Sequence, residues 1–294
     1  MSESIEHTGA NEVVVGIDGS SNATDAARWA AAEAECRGVP LRLVHALHLP
    51  NGAAIPLEPA EYAERARAEG RKLLASAQAA LTDAFPGLTI VTGLSDLSAA
   101  RTLSVLSTDA ALLVTGTRGH GGFAGMLLGS VSRKLAAHSH SPLVVVRGEH
   151  NEQELEKVVV GIEPDEPQAA IRYAFAAAER YGAVLHAVRA WYPYSTYASP
   201  TGVYLADFDE VRNDERRDVE KLIAPFRNEF PDVKIEISAT RGNPVPNLAE
   251  AARGARLLVL GAHRHRGPLS VGAGYVVGGL LAHCPTPVAI VPTH

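Results

Sequence analysis

Apolar residues fall in short consecutive runs separated by longer segments with helical spacing. Runs near 12–18, 41–46, 88–93, 111–115 and 142–146 read as strands, and segments near 22–37, 59–84, 97–107 and 129–139 read as helices. Val13–Ile17 and Leu143–Val146 are apolar at every position, so both faces of these strands are expected to be buried, as in a parallel sheet. Ser20-Ser21 supplies a helix N-cap and Gly38, before Pro40, a helix stop. The plan then recurs, with strands expected near 157–162, 184–190, 233–239, 256–260 and 287–291.

The recurrence is also literal. Val13–Asp18 (VVVGID) returns as Val158–Glu163 (VVVGIE), and Phe85–Ile90 (FPGLTI) as Phe230–Ile235 (FPDVKI). Leu112–Gly116 (LLVTG) returns as Leu257–Gly261 (LLVLG), and Ser141–Val145 (SPLVV) as Thr286–Ile290 (TPVAI). All four anchors are offset by 145 residues, a unit too long for a solenoid, so the chain is read as a duplicated domain. The expected domains are 1–147 and 157–294, with the polar stretch 148–156 as linker. Strands alternating with crossover helices predict two tandem doubly wound, Rossmann-like α/β domains. Each is a five-stranded parallel sheet with helices on both faces.

Composition narrows the function classes. A net charge of −6, with neither half basic, argues against a nucleic-acid partner. No apolar run reaches the roughly 20 residues that a membrane helix needs, so no membrane partner is expected. Only Cys36 and Cys284 occur, far apart, and the polar start MSESIEHTGANE shows no leader pattern, so a reducing, cytoplasmic setting is expected. His138/His140 and His283/Cys284 are short-range pairs without a further ligand, so no metal site is expected there.

Candidate chemistry gathers at Leu112–Val146, where a strand ends at Gly116, a glycine-rich loop follows and a helix opens at Gly129-Ser130. Strand, loop and helix N-terminus in that order form a phosphate cradle, with glycines allowing close approach and positive φ. Val131 and Ser132 add an N–H group and a hydroxyl, and Arg118 and His120 are the nearby groups that can meet phosphate charge. Asp18 follows the first strand and can accept from ribose hydroxyls or an adenine amino group. Val44, read as the end of the second strand, can pair its backbone with a purine edge. Plainer roles stand beside these: Asp18 as a helix cap, the glycines as a turn, Arg118 and His120 as surface groups.

The spacing Gly116-x2-Gly119-x9-Gly129-Ser130 resembles the nucleotide signature of the universal stress protein family, in its tandem, ATP-binding branch. Val15–Ser20 (VGIDGS, which includes Gly16), Leu43–Ala46 (LVHA) and Ser141–Val145 match it as well. The resemblance implies an ATP-binding regulatory or stress-response protein, with or without Mg2+, that forms a homodimer through its terminal strands and acts on a protein partner. It assigns nucleotide contacts to Asp18, Val44, Gly116, Gly119, Gly129 and Ser130. No G-x4-G-K-[S/T] motif and no paired carboxylates accompany the loop, so no catalytic residue is named and hydrolysis is expected to be slow.

The second copy reads Gly261-x2-Arg264-x9-Gly274-Tyr275, with Glu163 in place of Asp18. Arg264 puts a side chain where a phosphate would lie, and Gly278-Gly279 are expected to weaken the helix. This copy is expected to bind ATP weakly or not at all. Trp191–Phe208, which holds four of the eight tyrosines, is read as a ligand cover, a subunit contact or a loop packed on its own domain. The alternatives are a slow ATPase or phosphoryl or nucleotidyl transferase using the same loop, and a ligand-free interaction module.

Overall fold

The computed structural model describes residues 11–47, 59–119, 128–148, 156–164, 168–192, 208–262 and 274–292. The chain divides into two units, Met1–His150 and Asn151–His294. In the first unit the elements are β1 Val13–Gly16, α1 Ser21–Arg37, β2 Leu41–Ala46, α2 Pro59–Ala84, β3 Ile90–Ser95, α3 Ala99–Leu106, β4 Leu112–Gly116, α4 Ser130–His138 and β5 Leu143–Val146. The second unit has β6 Lys157–Gly161, α5 Gln168–Tyr181, β7 Val184–Trp191, α6 Phe208–Glu229, β8 Ile235–Arg241, α7 Pro244–Ala251, β9 Leu257–Ala262, α8 Tyr275–His283 and β10 Val288–Pro292.

Strand order in the first unit is β3-β2-β1-β4-β5, every neighbouring pair parallel. The order runs outward from β1 to β3 and then reverses to β4. Right-handed crossovers therefore place α1 and α2 on one face and α3 and α4 on the other. The second unit repeats this as β8-β7-β6-β9-β10, again all parallel. Both are doubly wound α/β units, and each reverses its strand order between the first and fourth strands, where ligands of such sheets bind.

Burial follows the unbroken apolar runs. Val13, Val15, Leu112, Leu113 and Leu143 are fully buried, as are Val158, Val159, Leu257 and Leu258. Truncating one of these leucines to alanine would cost about 2–5 kcal/mol, the transfer term plus an unfilled cavity. In α1 the inward face is Ala23, Ala26, Ala27, Ala30, Ala31 and Ala34, short side chains that let the helix lie close to the sheet. Ser20 caps α1 by accepting the Ala23 N–H at 3.2 Å, and Gly38 at φ 66° ends it by donating to Ala34 and Glu35 carbonyls. Among the described residues no helix is long and apolar enough to cross a membrane.

Candidate functional site

The reversal in strand order brings the end of β1, the end of β4 and the start of α4 together. The Thr117 N–H donates to the Val146 carbonyl at 3.1 Å, and the Thr117 carbonyl accepts from the Gly129 N–H at 2.7 Å. The loop after β4 therefore leaves and returns at one point. Ser20 Oγ reaches the Arg118 carbonyl at 3.5 Å, joining the start of α1 to the same loop. Two helix N-termini flank the Thr117–Gly119 backbone.

Asp18 does not itself cap α1, whose N-cap is Ser20, but braces that cap, its Oδ1 accepting the Ser20 N–H at 3.0 Å and Oγ–H at 2.7 Å. Its other oxygen lies against Gly119, where an added Cβ would stand 2.1 Å from Oδ2. Gly116 is forced by packing too: a Cβ there would come within 2.7 Å of the Asn22 carbonyl oxygen in α1. At Gly129 it would meet the Thr117 oxygen at 3.2 Å, and at Gly16 the Leu103 Cδ1 of α3 at 3.1 Å. The positive φ that glycine also allows is not used at these positions. Gly129 sits at φ −69°, and Gly16, Gly116 and Gly119 are not among the positive-φ residues. Close approach is what they supply.

Helix α4 begins without a side-chain cap on Gly129, so its first N–H groups have no partner within the helix and point out of its end. Ser130 is exposed and Val131 half-buried at this end. Ser132 departs from expectation. It is 3% exposed and its hydroxyl donates to the Gly116 carbonyl at 2.8 Å, with Thr115 Oγ1 at 3.3 Å. Its hydroxyl ties α4 to β4 rather than facing a ligand. Arg118 is exposed, and His120 lies outside the described residues.

Val44 is also displaced from its expected place. β2 ends at Ala46, as expected, but Val44 lies two residues before that end, 2% exposed, with its carbonyl accepting the Ile17 N–H at 2.8 Å. Residues along β2 alternate: Leu41 and Leu47 donate towards β3, while Val44 accepts from the chain leaving β1. By that alternation Ala46 turns its N–H and C=O to the side of β1, beyond where β1 has ended. Ala46 is thus the residue whose backbone can meet a purine edge. The sequence missed it because an apolar run marks burial, not which neighbouring strand each backbone group faces. Thr117, 2% exposed, is a second missed member of the site.

The second unit varies each part. Glu163 is exposed where Asp18 is half-buried. Gly274 precedes α8 at φ 79°, a conformation its counterpart Gly129 does not adopt. Tyr275, 72% exposed, takes the place of Ser130, and its hydroxyl accepts from Asn243 Nδ2 at 3.1 Å. The glycine pair does not shorten the helix: α8 has nine residues, as α4 does. Gly279 instead lets α8 close on α7, since a Cβ there would sit 2.8 Å from Val245 Cγ2. Arg264, most of the tyrosine-rich stretch and most of the linker lie outside the described residues. Among the described residues no group of three or more His, Cys, Asp or Glu is placed to hold a metal.

Comparison with known proteins gives a consistent result. A sequence model described as the universal stress protein family matches twice, over residues 10–147 and 154–292. A universal stress protein of Mycolicibacterium smegmatis is 31% identical over 287 residues, covering 95% of this chain and 96% of its own. One of Mycobacterium tuberculosis is 32% identical over 281 residues, covering 91% and 90%. Among solved structures, a universal stress protein from Archaeoglobus fulgidus has a like fold, with a TM-score of 0.70 at 17% identity and 96% of each chain covered.

Proposed function

The chain belongs to the universal stress protein family, and from that premise we propose that its first unit binds an adenine nucleotide, ATP, and that occupancy sets the protein's conformation or its affinity for a protein partner. The observation that carries this reading is the packing of Gly119 against Asp18 beside the uncapped start of α4. A carboxylate and a set of outward N–H groups face one bare stretch of backbone. In this reading Asp18 accepts from the ribose hydroxyls and the Ala46 backbone meets the purine edge. The N–H groups at Ser130 and Val131, with the Ser130 hydroxyl, take the phosphates, each helix-end contact worth about 0.3–1 kcal/mol. Arg118, exposed on the same loop, adds charge to the triphosphate end.

The second unit is assigned weak ATP binding or none. Tyr275 in place of Ser130 and an exposed Glu163 in place of Asp18 support that assignment. Homodimer formation belongs to the same proposal and is read by sedimentation of the full chain. The deciding experiment releases and identifies any nucleotide held by the freshly purified chain, then titrates ATP, ADP and AMP by calorimetry. One ATP per chain is expected. Two equivalent sites would overturn the difference between units, and no binding with no thermal shift would overturn the nucleotide reading. Multiple-turnover hydrolysis that disappears on altering Gly119 would favour an enzyme instead.

A further inference from the structure

Beside the candidate site, both units hold the same backbone atom by different side chains. In the first, His45 Nδ1 lies 2.7 Å from the carbonyl oxygen of Ile17, the residue before Asp18. A carbonyl can only accept, so Nδ1 carries the hydrogen. In the second, Arg189 Nη1 donates at 3.3 Å to the carbonyl of Ile162, the residue before Glu163. The two donors are equivalent by register, since each follows the residue paired with the glycine that ends the unit's first strand (Gly16 with Val44, Gly161 with Val188).

The helix above changes in step. Gly70 in α2 is buried, and a Cβ there would lie 2.9 Å from His45 Cδ2 and 2.7 Å from Leu94 Cδ2. A mid-helix glycine costs about 1 kcal/mol relative to alanine, and here it clears space for the imidazole and for Leu94. One repeat later, 145 residues on, the position is Glu215, whose Oε2 receives Arg189 Nε at 2.8 Å. Imidazole with glycine and guanidinium with carboxylate are two solutions to one requirement: a donor fixed over the carbonyl that precedes the acidic residue.

We propose that His45 is a positioning residue for the nucleotide site, fixing the Ile17 carbonyl and thereby the Asp18 carboxylate that faces Gly119. This rests on the nucleotide reading above. An Ile17–Asp18 peptide free to rotate would swing Asp18 away from Gly119, with no contact between His45 and the ligand needed. The donor matters, not the ring. Asparagine, whose Nδ2 stands where Nδ1 does, is therefore a substitute. So is the second unit's own pair, transplanted as His45→Arg with Gly70→Glu and with Leu94→Ala, since Arg189 pairs with Ala239 where His45 pairs with Leu94.

The test uses the full chain. ATP affinity is measured for wild type, His45→Ala, His45→Asn and the triple variant His45→Arg/Gly70→Glu/Leu94→Ala, and amide chemical shifts of Asp18 and Ser20 are recorded without nucleotide. His45→Ala is expected to weaken ATP about tenfold, the loss of one well-placed hydrogen bond, and to move both amides. His45→Asn and the triple variant are expected to stay within about threefold of wild type and to keep the amide positions. Affinity unchanged in His45→Ala, or equally weak in His45→Asn, overturns the proposal. If wild type itself binds no ATP, the nucleotide reading fails. The amides then decide alone: unmoved in His45→Ala, they remove the clamp as well. Should His45→Ala not fold, the contrast between His45→Asn and His45→Leu in the same measurements replaces it.

Discussion

A Cβ placed on Gly119 would stand 2.1 Å from Oδ2 of Asp18, well inside any permitted contact. This relationship across the reversal in strand order makes residue 119 a reporter of the site and not of the fold. Gly119 is exposed, so Gly119→Ala removes no core contact. Its expected effect on stability is under about 1 kcal/mol, a melting shift of about 2–4 °C at most for units of this size. ATP affinity is expected to fall at least about tenfold, because the carboxylate or the loop must move. Calorimetry and a thermal melt on the same preparation check both halves.

Two hydroxyls near the start of α4 should separate cleanly. Ser132→Ala breaks the bond to the Gly116 carbonyl in a buried setting, so a loss of about 1–3 kcal/mol in stability is expected. Ser130→Ala, at an exposed position, is expected to leave stability unchanged and to weaken ATP binding. Urea titrations of the two variants, set beside their ATP affinities, would show the crossover. Equal loss of affinity in both would contradict the assignment.

Glu12 and Arg42 form a buried ion pair at the opposite ends of β1 and β2, with Nε–Oε2 at 2.6 Å and Nη2–Oε1 at 3.2 Å. Each residue is 7% exposed. Glu12→Ala removes a carboxylate partner from a buried guanidinium and is expected to cost up to about 3–5 kcal/mol, while Glu12→Met with Arg42→Met should recover most of that loss. Denaturation midpoints of the two variants test this. ATP affinity, read at the other end of the strands, should move little in the double variant.

The matching positions of the second unit are Lys157 and His186, and there the consequence is a pH dependence. His186 titrates below its ordinary value of 6.5, first because burial disfavours the imidazolium and second because Lys157 repels it, with Glu236 opposing. Its Nε2 meets Ser238 Oγ at 2.8 Å. The unfolded chain thus gains a proton near pH 6.5 that the folded chain accepts only at lower pH. The contribution of His186 is complete above that pH and is lost as pH falls towards the folded value. Urea midpoints measured from pH 7.5 to about 5 should decline, and His186→Gln should flatten the decline. An unchanged slope in the variant would rule out this residue as its source.

Much of the architecture was legible because periodicity reports burial directly. Every expected strand appears within two residues of its expected place at its start or end, and the repeat told the same story twice. The spacing of Gly116, Gly119 and Gly129 likewise marked a backbone that something approaches closely. What approaches it was not legible. Asn22, Asp18 and the Thr117 carbonyl are the neighbours that exclude a Cβ, and no local pattern names them.

The sequence by itself determined the element order, the two-fold repeat and the loop on which a ligand site would be built. Local propensity and the alternation of apolar and polar residues are properties of a single segment, so a single segment can carry them. Only the tertiary structure decided that the Val44 carbonyl is taken by the Ile17 N–H, that Ser132 is spent on the Gly116 carbonyl, and that Gly70 yields its space to His45 and Leu94 while Glu215 grips Arg189. Those facts depend on how a helix settles on a sheet and in which register strands meet. They join residues 16 or more positions apart through side-chain volume and hydrogen-bond direction, which no periodicity along the chain encodes.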